Sequence, residues 1–386
     1  LAPADGFVVR GDGDGDRAGA SVASAGDVNG DGFDDLVLGA PRGDDGGESA
    51  GEAYVVFGAA GGFGTVDGSG RSVVDLTTLA AADGFVIHGG PGDLLGRGLA
   101  SAGDMNGDGF DDLFVAAPAA GENGEAYVVF GNADGFGTVD AAGRSVLDIA
   151  TLTPADGIVI RGDPDGGSIA DVASAGDVNG DGLDDLIVGA ALGASDYDGN
   201  AYVIFGRSDG VSDVDLRDLG LYPLDGSGPQ GFVINGDDDG MGRSVASAGD
   251  VNADGFDDLV VGAPRSDEGG ERSGAAYVIF GSDSLGGTVI AGAAGGDALA
   301  SQATADAAAG SGDGRPPPLG LSDVIDLADG SNALPLVGNA TAAGNPGNGS
   351  NDAGSAGGTM DGQSFHPYTP GTATLMLDQD IAAATA

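Results

Sequence analysis

Cysteine, tryptophan and lysine are absent from the 386 residues. Without Cys there is no disulfide framework, no thiolate metal centre and no cysteine nucleophile. Only two His occur, and aromatic residues make up 5% of the chain. Positive charge is scarce: 13 basic residues, all Arg, face 61 acidic ones, for a net charge of −48. Such a field repels phosphate and excludes nucleic acid as a partner. No apolar run approaches the roughly 18 residues of a membrane span. No phosphate loop is present. The chain opens on Leu1 rather than Met, as a processed or trimmed form would, so a missing export signal carries no weight.

Gly and Asp are abundant instead. There are 79 Gly, and six of the 61 acids are Glu (48, 52, 122, 125, 268, 271), leaving 55 Asp. Asp favours turns and is a hard oxygen ligand for Ca²⁺. A high-GC genome or a salt-adapted proteome would give a similar composition, so the arrangement of the Asp residues has to decide. The hydrophobic fraction of 41% is enough for a core.

Three strings recur in step. SAGDVNGDGFDDL (24–36) returns with small changes at 101–113, 174–186 and 247–259. Its first Asp falls at 27, 104, 177 and 250, giving periods of 77, 73 and 73. AYVVFG or AYVIFG starts at 53, 126, 201 and 276, and GFVVRG-like strings at 6, 84, 157 and 231. Each is a short apolar or β-branched run bounded by Gly, so each period reads as four short strands. No long helical periodicity appears. Segments 71–79, 144–152 and 212–220 are a weaker fifth element, a short strand or one helical turn. Four antiparallel strands per repeat is the pattern of a propeller blade, so the fold class is all-β, a β-propeller of uncertain ring size. The array opens on a GFVV string and ends on AYVIFG. Residues 6–11 are therefore expected to close the ring by completing the last blade. The domain reading is 1–284 propeller, 285–320 low-complexity linker or insertion, and 321–386 a Gly/Ala-rich C-terminal extension, a degenerate blade or attachment segment.

The recurring Asp loop carries the chemistry. Oxygen-bearing side chains stand at its positions 1, 3, 5 and 9, with Gly at 6 for a sharp turn, and the carbonyl of position 7 can join them. Such a shell of hard oxygens suits Ca²⁺ at about 2.3–2.6 Å. The candidate ligands are Asp27, Asn29, Asp31, Phe33 and Asp35; Asp104, Asn106, Asp108, Phe110 and Asp112; Asp177, Asn179, Asp181, Leu183 and Asp185; and Asp250, Asn252, Asp254, Phe256 and Asp258. An EF-hand would need Glu at position 12, where Leu38, Val115, Val188 and Val261 stand, and helical flanks where the flanks are strands. The alternative is a metal-free Asx turn. Three clustered carboxylates without a cation would repel one another. Asp34, Asp111, Asp184 and Asp257, at position 8, are expected to point away and cap amides of the next strand. Ala253 replaces Gly at position 4 of the fourth loop and would be strained by about 1 kcal/mol if its φ is positive.

Blocks 18–41, 95–118 and 241–264 resemble FG-GAP repeats, as found in integrin α-subunit propellers and in bacterial surface and secreted proteins. The third copy lacks the Pro and the Phe/Leu/Met-Gly pair. The resemblance covers about residues 1–284. It implies Ca²⁺ at about four structural sites through the positions named above. It also implies a secreted or cell-surface bacterial protein that is not an enzyme and binds a protein or glycan, or copies of itself. The functional readings are a calcium-stabilised propeller for adhesion or recognition, a subunit of an extracellular filament or layer built by strand addition, or an accessory module of a secreted enzyme.

Other features have plain readings. Arg-Gly-Asp at 10–12, 42–44 and 161–163 tracks the repeat, as a strand end and turn. His88 is expected at a solvent-facing strand end, and His366 in a tail turn. Gly11–Asp16 reads as an acidic turn or a weak cation site. Asn339 and Asn348 head glycosylation sequons. Tyr54, Tyr127, Tyr202 and Tyr277, with Phe57, Phe130, Phe205 and Phe280, read as blade-to-blade packing.

Overall fold

A computed structural model describes residues 2–163, 168–192, 199–208, 213–219, 230–236, 240–267, 270–283, 285 and 289–291, with four short strands beyond residue 320. The chain divides into Leu1–Ser301 and Gln302–Ala386.

In the first unit, β1 (Phe7–Arg10) precedes the first repeat, β2 (Ser21–Gly26), β3 (Asp35–Ala40) and β4 (Glu52–Val56). The short β5 (Thr65–Val66) and β6 (Ser72–Asp75) follow, then β7 (Gly84–His88). The second repeat gives β8 (Gly98–Gly103), β9 (Asp112–Ala117), β10 (Glu125–Val129), β11 (Thr138–Val139), β12 (Ser145–Asp148) and β13 (Gly157–Arg161). The third gives β14 (Ser168–Gly176), β15 (Asp185–Leu192), β16 (Asn200–Ile204), β17 (Val214–Asp215) and β18 (Gly231–Asn235). The fourth gives β19 (Ser244–Gly249), β20 (Asp258–Ala263) and β21 (Ala275–Ile279), followed by β22 (Val289–Ala291).

The four-stranded antiparallel blade is present three times, as β2-β3-β4-β7, β8-β9-β10-β13 and β14-β15-β16-β18. The weak fifth element is both things its sequence allowed. Its strand runs parallel to the outer strand of a blade, β12 on β7 and β17 on β13. A one-turn 3₁₀ helix follows at Leu76–Thr78 and Ile149–Thr151, capped by Asp75 and Asp148. β22, in the segment read as linker, takes the same place beside β18.

The expected ring closure is not what the structure has. β1 lies parallel to β6, and β19-β20-β21 is a three-stranded sheet among the described residues. The physical reason is the uncovered back of the first blade. Phe7 and Val9 pack on the cluster of Tyr54, Leu76 and Val86, and Phe7 stacks on Phe63 at 4.1 Å.

Side chains alternate across each sheet, and the blades bury both faces against their neighbours. Val37, Val55 and Ile87 of the first blade meet Leu113, Val115 and Val129 of the second. Phe114, Val128 and Ile160 meet Leu186, Val188 and Ile204 of the third. Ile187, Val203 and Ile234 meet Leu259, Val261 and Ile279 of the fourth. β9 is accordingly buried at every residue, whereas β3 is not. Leu36 is 38% exposed, while its counterparts Leu113, Leu186 and Leu259 are at most 1% exposed. At the other end Val251, Val278 and Phe280 lie open. Tyr54, Tyr127 and Tyr202 sit in these clusters, as expected of packing residues.

In the second unit β23 (Ile325–Asp326) pairs with β26 (Thr374–Leu375), and β24 (Gly358–Met360) with β25 (Gln363–Phe365). His366, the two sequons and most of 285–386 lie outside the described residues. Among the described residues no helix is long and apolar enough to cross a membrane.

Candidate metal centre

Each Asp loop joins the innermost strand of a blade to the next, so all four lie at the same end of their sheets. The first loop is wound by its own amides. Asp27 accepts from the N–H groups of Asp31 at 3.0 Å and Gly32 at 2.8 Å. Asn29 Oδ1 also accepts from Asp31 N–H, and Asp31 Oδ1 from Phe33 N–H. The pattern repeats in the loops headed by Asp104, Asp177 and Asp250. Positions 1, 3 and 5 therefore share one exposed curl.

Position 9 does something else. Asp35 is fully buried and accepts from Val28 N–H at 3.1 Å and Gly58 N–H at 2.7 Å, tying the loop to the end of β4. Asp112, Asp185 and Asp258 hold the equivalent pairs of amides. Burial pushes Asp35 up to about 6, and Asp112 and Asp185 up to about 8, against the opposing pull of those amides. Among the described residues, the three acids whose oxygens come within 4.8 Å of one another are not in these loops.

Position 8 does not cap the next strand, as the sequence suggested. It reaches back to the preceding blade. Asp111 Oδ2 accepts from Asp27 N–H at 2.7 Å, while Asp111 N–H donates to the Asp27 carbonyl. Asp184 treats Asp104 in the same way, and Asp257 treats Asp177. Burial raises the Asp184 pKa. The loops thus form a chain of reciprocal contacts from blade to blade. Sequence reasoning missed this because the link spans 84 or 80 residues.

Position 7 packs on the preceding loop as well. A Cβ placed on Gly30 or Gly180 would come 2.4 Å from the ring of Phe110 or Phe256, and one on Gly107 would come 2.9 Å from Leu183. Phe33 has no described loop before it and is 44% exposed. Ala253, with φ of 62°, occupies the left-handed region where Gly was expected to be needed, in the loop with no described blade after it. Gly180→Ala is therefore expected to destabilise by about 2–3 kcal/mol, through strain at φ +77° and the clash with Phe256. Ala253→Gly should stabilise by about 0.5–1 kcal/mol. Urea unfolding midpoints of both variants would check the pair.

The donor set fits a hard cation. It consists of carboxylate and amide oxygens, and every one of these side chains keeps a lone pair beyond the amide contacts it makes. The buried carboxylates, pushed up by desolvation, are groups whose charge a cation would favour.

The Arg-Gly-Asp strings are structural where described. Arg10 pairs with Asp75 and Arg161 with Asp213, tying strand ends to the segments beside them.

Blades stacked through Asp-lined turns define a propeller whose repeats carry acidic loops. The FG-GAP repeat model matches residues 18–56, 96–129, 170–204 and 241–279, and the chain is an FG-GAP repeat protein. It is 30% identical over 261 residues to integrin alpha pat-2 of Caenorhabditis elegans, covering 66% of this chain and 18% of that one. It is 33% identical over 184 residues to chicken integrin alpha-V, covering 45% and 14%. Bovine phosphatidylinositol-glycan-specific phospholipase D is 32% identical over 188 residues, covering 47% and 20%. The chain thus spans about a fifth or less of the length of these relatives.

Proposed function

We propose that the chain is a non-enzymatic, calcium-stabilised propeller that recognises a protein or glycan outside the cell. One observation carries the reading. The loops that hold the candidate ligands also join blade to blade, through Asp111 to Asp27, Asp184 to Asp104 and Asp257 to Asp177. A Ca²⁺ ion bound through Asp27, Asn29, Asp31, the Phe33 carbonyl and Asp35, and likewise in the other three loops, would stiffen a junction as well as a turn. Millimolar Ca²⁺ is an extracellular condition, and the likeness to integrin α-subunits supports adhesion or recognition there. The domain reading, 1–284 as the propeller with 285–320 and 321–386 as linker and extension, belongs to the same proposal. The phospholipase relatives keep an accessory role beside an enzyme as an alternative.

A second reading, a subunit of an extracellular filament, is favoured by the open apolar faces at both ends of the array, Leu36 with Val22 and Phe280 with Val278. Light scattering of the full chain in millimolar Ca²⁺ separates the two. A constant monomer mass from dilute to concentrated solution is expected for a recognition module. A mass that climbs with concentration would replace it with the filament.

A further inference from the structure

A second group of acids lies at the opposite end of the first blade from its Asp loop. The loop joins β2 to the start of β3, whereas Glu52 opens β4 and is in register with Ala40 at the end of β3. Glu52 is 1% and Asp16 9% exposed, and the Asp12 side chain is 9% exposed. Each of the three offers an oxygen within 4.8 Å of the other two. Two ligands of one Ca²⁺, each at about 2.3–2.6 Å, stand at most about 5 Å apart, so the spacing fits a single shell.

Two observations show that this group is short of hydrogen-bond donors. Asp12 Oδ1 is buried with no hydrogen-bond partner. The Tyr54 hydroxyl lies 2.6 Å from Asp12 Oδ2 and 2.7 Å from Glu52 Oε2. A hydroxyl has one proton, so it cannot donate fully to both carboxylates. Glu52 Oε1 accepts from Asp45 N–H at 2.9 Å. The Arg144 guanidinium is nearby but divided. It contacts Asp45 at 2.7 Å and Asp140 at 2.9 Å, and reaches Asp12 only at 3.6 Å. His88 adds no charge. Contrary to the solvent-facing place expected for it, its side chain is 13% exposed, and burial lowers its pKa. Its Nε2 is buried without a hydrogen bond, 3.8 Å from Asp45.

The third blade fills the same corner with different residues. There Tyr202 donates to Asp163 at 2.9 Å, and Asn200 stands where Glu52 does, donating to the Tyr202 oxygen at 3.2 Å. With a carboxylate in place of that amide donor, and with Asp16 beside it, the first blade gathers three acids where the described residues of the third show Asp163. Burial, and then the neighbouring acids, push Asp16 up, and burial pushes Glu52 up to about 7.

We propose that Asp12, Asp16 and Glu52, gathered around the Tyr54 hydroxyl, bind a divalent, oxygen-preferring cation at a site separate from the four Asp loops. The test is equilibrium dialysis of the full chain against Ca²⁺, comparing wild type with the double variant Asp16→Asn/Glu52→Gln. The double variant is expected to bind one ion fewer, and an equal count would overturn the proposal. The readout is independent of the loops. If they bound no Ca²⁺, wild type would still bind one ion and the variant none. Terbium gives a second measurement. The chain has no Trp, so Tb³⁺ emission excited through tyrosine reports ions beside a Tyr. Asp16→Asn alone should weaken the Tyr54-sensitised Tb³⁺ signal at least tenfold in affinity, and Tyr54→Phe should remove most of it. If the double variant loses its β-sheet spectrum, these two single variants decide, and unchanged emission in both would overturn the site.

Discussion

Excess EGTA is expected to lower the melting temperature of the full chain by about 10–20 °C, with recovery in Ca²⁺ and little in Mg²⁺. At an extracellular-type affinity of about 0.1 mM and millimolar Ca²⁺, each loop adds about 1.4 kcal/mol by mass action. Four loops together reach the lower end of the ~5–15 kcal/mol that typically separates folded from unfolded chains. For an array of this size each kcal/mol moves the midpoint by about 2–4 °C. Ca²⁺ is preferred over Mg²⁺ because the loop offers a roomy shell of oxygens, whereas Mg²⁺ needs a tight octahedron and keeps its waters. Circular dichroism melts in the two media would check it. An unchanged midpoint would leave the Asp loops as metal-free turns.

Most of the fold was legible because it is written four times. Repetition at a fixed spacing marked the strands, as short apolar runs bounded by Gly. The blade-to-blade contacts were not legible. Nothing local in Asp-Asp at positions 8 and 9 says that Asp111, Asp184 and Asp257 turn back to the preceding loop while Asp35 and its counterparts go inward to two amides. That choice is made by the neighbouring sheet, about 80 residues away in the chain. The place of β1 was misjudged for a related reason. Its sequence matches the outer strand of any blade, and only the uncovered apolar back of the first blade, with Phe63 to stack on Phe7, explains where it settles. The corner around Tyr54 was half visible. Gly11–Asp16 was noticed as acidic, but Glu52 lies far along the chain and looks like an ordinary strand residue. The same repeat position holds Glu125, Asn200 and Ala275 in the other blades, so the available signal was Glu52 together with the Asp residues of 11–16.

The loop geometry separates two roles that a plain ligand count would merge, and two alanine variants should separate them in solution. Asp112 is fully buried, with Oδ1 accepting from Gly131 N–H and Oδ2 from Met105 N–H, both at 3.0 Å. Asp112→Ala leaves two amides in the interior without acceptors, at roughly 1–3 kcal/mol each. The expected loss is about 3–5 kcal/mol already in EGTA, and in Ca²⁺ the stabilisation that the loop's ion gives is lost in addition. Asp112→Asn keeps one acceptor oxygen and should lose about half as much. Asp108, by contrast, is exposed, and water can replace its contact to Phe110 N–H. Asp108→Ala should therefore cost less than about 1 kcal/mol in EGTA. In Ca²⁺ it should lose the additional stabilisation of that one loop, about 1.4 kcal/mol. Denaturant unfolding of both variants in the two media gives four numbers. A large loss at Asp112 already in EGTA, with a loss at Asp108 that appears mainly in Ca²⁺, supports an anchor that is also a ligand at position 9 and a ligand alone at position 5. Equal calcium-independent losses at both would mean that the exposed curl is held by its own turn and takes no ion.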